Sequence, residues 1–92
     1  MTTHTVTLTT TLTSLRALLT TAGYTNFTQN FANSDVVVHT MTGNYNVRGS
    51  NETTGAGILI PTSYPLPFLG GDCLNTLFSS AITGALLYIR ID

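Results

Sequence analysis

The chain has 92 residues, the length of one domain, and 42% of them are hydrophobic, which excludes a disordered and highly charged segment. Its formal net charge is −1, with three arginines and no lysine, so it lacks the clustered basic side chains on which nucleic-acid binding depends. We therefore expect a single folded domain, residues 1–92, that does not bind nucleic acid.

The low charge is the most unusual feature of the composition. Only 8% of the residues are charged, against roughly 25% in an average soluble domain. Lysine on exposed strands is a common guard against edge-to-edge pairing, and a net charge near zero gives little repulsion between copies. Threonine, serine and asparagine could hydrate the surface instead. The composition favours assembly with partner proteins, including a homo-oligomer.

One cysteine, Cys73, cannot form an internal disulfide, and its apolar neighbourhood indicates a buried structural thiol. No apolar run approaches the roughly 18 residues of a membrane span. The first residues show neither the basic head nor the apolar stretch of a signal peptide. We expect a protein that is made and folded in a cytoplasm and does not bind a membrane.

The first segments in chain order predict a strand and a short helix. Residues 5–12 alternate threonine with apolar side chains, the pattern of a strand with one face in water. Leucines then recur at helical spacing over residues 15–22, with Thr13 or Ser14 as a suitable N-cap and Gly23 as a suitable end. We expect the leucine face to cover the sheet, with Arg16 and Thr20 in solvent.

The middle of the chain predicts a hairpin. Phe27 and Phe31 allow either a short strand or an aromatic-anchored loop. Residues 35–41 contain three consecutive valines, which indicate a strand buried on both faces or near an interface. A Gly43-Asn44 turn and renewed alternation to residue 48 suggest that the two strands pair as one hairpin.

Glycines and prolines dominate the next part. Residues 54–57 predict a turn or bulge before a short apolar strand at 58–60. Three prolines then interrupt regular pairing, because proline donates no hydrogen bond to a ladder, so residues 61–71 are predicted to form an arm or loop. This segment is too apolar to stay in water. Its sequence is equally compatible with packing on its own chain and with packing on another chain. Its candidate partner-binding residues are Tyr64, Leu66, Phe68 and Leu69.

The last part predicts the best strand. Residues 72–78 are compatible with a strand or a helical turn, whereas residues 85–91 alternate clearly, with Ala85, Leu87, Ile89 and Ile91 on one face. The predicted fold class is mainly β, a small antiparallel sandwich or barrel-like domain with one short helix.

Catalytic and metal-binding patterns are sparse. His39 follows Asp35 by four residues, too far along one strand for direct contact. Two histidines and one cysteine show no zinc-ligand spacing, and no serine lies in a nucleophile elbow. The glycines at 55 and 57 lack the lysine of a phosphate loop. We expect no enzyme activity, no cofactor and no metal.

In its arrangement the chain resembles the small accessory structural proteins of tailed bacteriophage virions. The likeness lies in the threonine-rich first strand, the leucine-rich helix, the glycine turn before Ile58-Leu59-Ile60-Pro61 and the closing strand. The resemblance implies a β-sandwich or barrel-like module that binds a capsid or tail surface, commonly as an oligomer. It supplies no motif that assigns a role to a residue.

Two classes of function follow. The first is a virion structural protein that binds and stabilises a phage capsid surface as a decoration or cement protein, or that belongs to the tail. The second is a carbohydrate-binding β module with Tyr24, Tyr45, Tyr64 or Tyr88 as stacking platforms. An exposed row of tyrosines would favour the second, and a proline-rich arm on a neighbouring chain the first.

Overall fold

Two antiparallel sheets of four strands each pack together in the computed structural model, which describes residues 2–25, 31, 34–49, 52, 55 and 57–91. The strands in chain order are β1 (Thr2–Thr7), β2 (Thr13–Ser14), β3 (Asp35–Thr40), β4 (Tyr45–Arg48), β5 (Ile58–Ile60), β6 (Leu66–Leu69), β7 (Leu77–Ser79) and β8 (Leu86–Ile91). Sheet 1 has the order β1-β8-β3-β6, and sheet 2 has the order β2-β7-β4-β5. The described strands do not close into a barrel, so the predicted mainly β fold is confirmed as the sandwich form.

The predicted leucine-rich helix is present as α1 (Leu15–Thr21). Ser14 caps it, since its Oγ accepts a hydrogen bond from the Ala17 N–H at 3.2 Å. The helix lies against β1 and a second helix, α2 (Gly70–Asn75). Its buried residues are Leu15, Leu18 and Leu19, and Arg16 and Thr20 are exposed as predicted.

The first strand is shorter than its sequence pattern. β1 ends at Thr7, although Leu8 is still buried and its N–H donates to the Ala85 carbonyl oxygen at 2.8 Å. Beyond it, the Thr9 and Thr13 hydroxyls both donate to the Thr11 carbonyl oxygen. Threonine hydroxyls can bond to nearby backbone groups in this way, and such local bonds compete with a sheet ladder.

The predicted hairpin of residues 35–48 is wrong. β3 lies in sheet 1, between β8 and β6, and β4 lies in sheet 2, between β7 and β5. Residues 41–44 therefore carry the chain from one sheet to the other. Thr40 and Tyr45, on either side of this turn, are both fully buried. Alternation shows that each strand buries one face, but not which sheet that face belongs to.

The prolines do not interrupt pairing throughout 61–71. Leu66–Leu69 forms β6, whose residues 66–69 pair with β3 from Val38 to Asp35 at the edge of sheet 1. Pro67 is tolerated because an edge strand needs only half of its backbone groups for pairing. The predicted arm is thus reduced to residues 61–65, followed by an edge strand and the start of α2.

The closing strand is confirmed as central to the fold. β8 pairs with β1 on one side and β3 on the other. Ala85, Leu87, Ile89 and Ile91 are buried on one face, as the alternation predicts. Among the valines of β3, Val36 and Val38 are buried and Val37 is half-buried on the outer face. The earlier alternatives for residues 72–78 are both realised, as α2 and then β7.

Candidate interaction surface

Several large apolar side chains remain in water on a chain with very few charges. They are Met41, Ile58, Leu59, Tyr64 and Ile82, each between 47% and 70% exposed. Scattered exposed apolar residues are normal, but clustered ones mark interaction sites. These residues fall into two groups, the loops at one end of the sandwich and the edge strand β5.

The first group is held in place by hydrogen bonds between loops. The Asn44 side-chain oxygen accepts from the Thr62 N–H at 3.1 Å, and the Asn44 carbonyl oxygen accepts from the Ser80 hydroxyl at 3.1 Å. The Ser63 N–H donates to the Thr40 carbonyl oxygen at 2.7 Å. Asn44 therefore joins three loops that are distant in sequence. We call the exposed residues of these loops, Met41, Tyr64 and Ile82, the loop-end surface.

Two of these side chains contact neighbouring loops directly. The Ser63 hydroxyl lies 3.7 Å from the Met41 sulfur. The end of the Ile82 side chain occupies the space where a Cβ atom on Gly43 would lie. Gly43 has a φ of +131°, so the turn needs glycine for its backbone and for the room that Ile82 takes. These contacts fix the apolar side chains on ordered loops.

The second group lies on β5. This strand pairs with β4 on one side only and forms an edge of sheet 2. Ile60 is buried, whereas Ile58 and Leu59 are 70% and 59% exposed. An edge strand presents backbone N–H and C=O groups without ladder partners. β5 therefore combines exposed apolar side chains with a backbone able to pair.

The four predicted partner-binding residues do not share one surface. Tyr64 is 55% exposed on the loop-end surface. Leu66 and Phe68 are half-buried and pack against the core of their own subunit, where the Phe68 ring lies 6.0 Å from Phe78. Leu69 ends β6 opposite Asp35, and its side chain lies outside the described residues. Contact of the four with another chain stays a prediction.

The tyrosines do not form a described row. Tyr45 is fully buried, which removes it from any sugar-stacking platform. Tyr24 stacks on His4 with ring centres 4.4 Å apart, and Tyr88 stacks on His39 at 5.3 Å. No tyrosine pair is in ring contact within the described part of the chain.

Two buried titratable groups, Cys73 and Tyr45, have raised pKa values. Burial raises the pKa of the Cys73 thiol to about 12, and burial together with the nearby Cys73 raises the pKa of Tyr45 to about 12. A thiol that stays protonated at neutral pH is a poor nucleophile and metal ligand. Over the described residues, no three His, Cys, Asp or Glu side chains come together to hold a metal ion.

Sequence reasoning missed Met41, Ile58, Leu59 and Ile82 as surface residues. The apolar run 58–60 was predicted simply as a strand, and its exposure depends on its place at the edge of sheet 2. One signal was available, since the run lies between Gly57 and Pro61, and a proline beside a short strand is typical of the edge of a sheet. Ile82 stands alone in a polar turn, a second signal of an exposed apolar residue.

Comparison with known proteins supplies no family. No protein-family model matches the chain, and no curated protein or solved structure matches it. Of the helices in the described residues, none is long and apolar enough to cross a membrane. The function has to be argued from the surface itself.

Proposed function

We propose that this protein is a virion structural protein that binds and stabilises a phage capsid surface through protein–protein contacts, as a decoration or cement protein does. The observation that carries the proposal is the loop-end surface. It presents Met41, Tyr64 and Ile82 on loops joined by hydrogen bonds through Asn44. A surface whose side chains are already ordered loses less entropy when it docks.

The chemistry of this surface suits a protein partner. Met and Tyr are enriched at protein interfaces, and charged residues are depleted from interface centres. The chain has only seven charged residues, three basic and four acidic. Its arginines lie on three separate elements, α1, β4 and β8, and such a distribution gives no continuous basic strip for nucleic acid.

The capsid as partner is supported by the resemblance of the chain to accessory proteins of tailed phages. A tail-associated structural role is the alternative within the same class and uses the same surface. The carbohydrate-binding alternative is weaker, because Tyr45 is buried and Tyr24 and Tyr88 are half-buried against histidines.

The direct test is the composition of purified phage particles. Particles from the phage that encodes this chain are purified on a density gradient and analysed by mass spectrometry, with capsids and tails separated. The chain is expected in the capsid fraction. Its presence only in the tail fraction supports the alternative, and its absence from particles contradicts the proposal.

A matched pair of variants tests the surface. Particles lacking the chain are mixed with purified Ile82→Ser or with Ala17→Ser, an exposed position on α1, and bound protein is measured by co-sedimentation. Ile82→Ser is expected to reduce binding at least tenfold, with Ala17→Ser unchanged. Equal binding of the two variants would place the contact elsewhere.

A further inference from the structure

The outer strands of the two described sheets, β1, β6, β2 and β5, differ in how their edges are protected. At the edge of β1, the Thr5 N–H already donates to the Tyr24 hydroxyl at 3.2 Å. β6 contains Pro67, and β2 has only two residues, Thr13–Ser14. A bonded cover, a proline and a very short strand are recognised protections of edges. β5 is also short, with three residues, but within the described chain it has no proline, no charged residue and no cover, and its Ile58 and Leu59 are exposed.

The side chains of β5 alternate between the two faces of sheet 2. Ile58 and Ile60 share one face, because successive side chains of a strand point to opposite sides. Their partners on β4, Val47 and Tyr45, both pack in or against the core, so this is the core side. Ile58 nevertheless stays 70% exposed at the margin of the core. Leu59 lies on the outer side, opposite Asn46.

We infer that β5 pairs with β5 of a second copy, antiparallel and about a two-fold axis at Leu59. This inference rests on the proposed role as an assembly protein and names one partner, a copy of the same chain. In this register Ile58 of each copy lies across from Ile60 of the other, on the core side. Leu59 lies across from Leu59 of the partner on the outer side.

This register gives every exposed side chain of β5 an apolar neighbour. Residues directly opposite in an antiparallel pair have Cβ atoms about 4.5–5.5 Å apart, close enough to pack. A shift of one residue would place core-side residues against outer-side residues, which disfavours it. The pairing also joins two four-stranded sheets into a continuous sheet of eight strands and covers the free backbone groups of both edges.

The electrostatics of the chain allow this pairing. Each copy has a formal net charge of −1, and residues 58–60 are all uncharged. Bringing two copies together therefore creates no direct like-charge contact at the strand, which is the contact that most opposes identical partners. A stable dimer commonly buries about 800 Å² of surface per partner. Three paired residues on each copy bury much less than this, so we expect a weak dimer.

The first test is the mass of the purified protein against concentration, by sedimentation equilibrium over about 1 µM to 1 mM, the range of weak association. The chain of 9.8 kDa is expected to shift towards twice that mass as concentration rises. Leu59→Lys is expected to weaken the association at least tenfold. Thr21→Lys, which adds the same charge at an exposed position on α1, should leave it unchanged.

The second test reads the register itself. In a Cys73→Ala background, Leu59→Cys places two thiols directly opposite each other, and mild oxidation is expected to give a disulfide-linked dimer. Thr21→Cys, at an exposed position on α1, should give little disulfide-linked dimer. Circular dichroism confirms that each variant is folded.

A single mass of 9.8 kDa at every concentration would overturn the inference, and so would a dimer that Leu59→Lys leaves intact. These experiments contain no phage particles. A failure of particle binding therefore contradicts the proposed function alone, and a failure of self-association contradicts the β5 pairing alone.

Discussion

The Tyr24 hydroxyl accepts a hydrogen bond from the backbone N–H of Thr5 at 3.2 Å, on the edge of β1 that faces away from β8. The Tyr24 ring also stacks on His4, the residue before Thr5, and His4 is itself buried. Tyr24, three residues after α1 ends, thus both bonds a backbone N–H on the outer edge of β1 and packs on a side chain of the same strand.

Tyr24→Phe is expected to lower the free energy of unfolding by about 1 kcal/mol, because it keeps the ring but leaves the Thr5 N–H without its partner. Tyr45→Phe is the matched control. The Tyr45 hydroxyl is buried and has no hydrogen-bond partner among the described atoms, so its removal should be neutral or stabilising. Urea unfolding followed by circular dichroism measures the stability of both variants. Equal losses of stability would contradict a stabilising hydrogen bond between the Thr5 N–H and the Tyr24 hydroxyl.

Leu18→Ala is expected to cost about 2–5 kcal/mol of folding free energy, as large-to-small changes in a core do. Leu18 is 5% exposed, and it lies in the same core cluster as Leu15 and Leu19. Arg16→Ala, on the exposed face of the same helix, should change stability by no more than about 0.5 kcal/mol. Thermal and urea unfolding of the two variants provide the comparison, and a large effect at Arg16 would show that the helix phase is misassigned.

Stability should fall as the pH rises from about 9 towards 12. The pKa of Cys73 is raised from 9.0 to about 12 and that of Tyr45 from 10.0 to about 12 in the folded state. Between these values the unfolded chain loses protons that the folded chain retains, so alkaline pH favours unfolding, whereas the stability is fully present below pH 9. Urea midpoints measured from pH 7 to 11 should decline less steeply in Cys73→Ala. Thr3→Ala, at an exposed position and without a titratable group, should keep the full decline.

Gly57→Ala should destabilise the protein far more than Gly84→Ala. Both glycines have positive φ, +81° and +82°, so each substitution carries a similar backbone cost. A Cβ atom at Gly57 would also collide with the backbone carbonyl of Val47, whereas one at Gly84 would meet open space. Because the backbone costs are similar, the difference between the melting temperatures of the two variants measures the cost of the collision with the Val47 carbonyl. Similar losses would mean that β5 can move away from β4 at little cost.

Tyr64→Ser and Phe68→Ala should separate binding from folding. Tyr64 is exposed, and its loss should reduce partner binding with little effect on the melting temperature. Phe68 packs against the core and Phe78, so its truncation should cost about 1–3 kcal/mol of stability. If Tyr64→Ser instead lowered the melting temperature and left binding unchanged, Tyr64 would have a structural role.

Two local elements of this protein, α1 and β8, follow from its sequence. Leucines at helical spacing after Ser14 give α1, because one apolar face and a capping hydroxyl suffice to specify a short helix that packs on a core. Alternation over residues 85–91 gives β8 and correctly assigns its buried face. These features depend on residues that are neighbours in the chain.

The tertiary structure alone decided which strands pair. Alternation at residues 35–48 is equally compatible with a hairpin and with two strands in different sheets. In the structure the strands lie in different sheets, with Thr40 and Tyr45 buried on either side of the crossing. Hydrogen bonds from Thr62 and Ser80 to Asn44 fix the crossing, and both partners lie far from Asn44 in sequence. Pairing between residues this far apart leaves no periodic pattern in the sequence from which the paired strands could be predicted.

The tertiary structure also decided which apolar side chains form the candidate surface. The sequence shows that charge is scarce and that residues 58–60 and much of residues 61–71 are apolar, which favours association with partners. Whether a given apolar side chain lies inside or outside depends on its strand's place in a sheet, because an edge strand has a neighbour on one side only. Leu66 and Phe68 are covered because β6 lies beside β3, and Ile58 and Leu59 are exposed because β5 has nothing described beyond it.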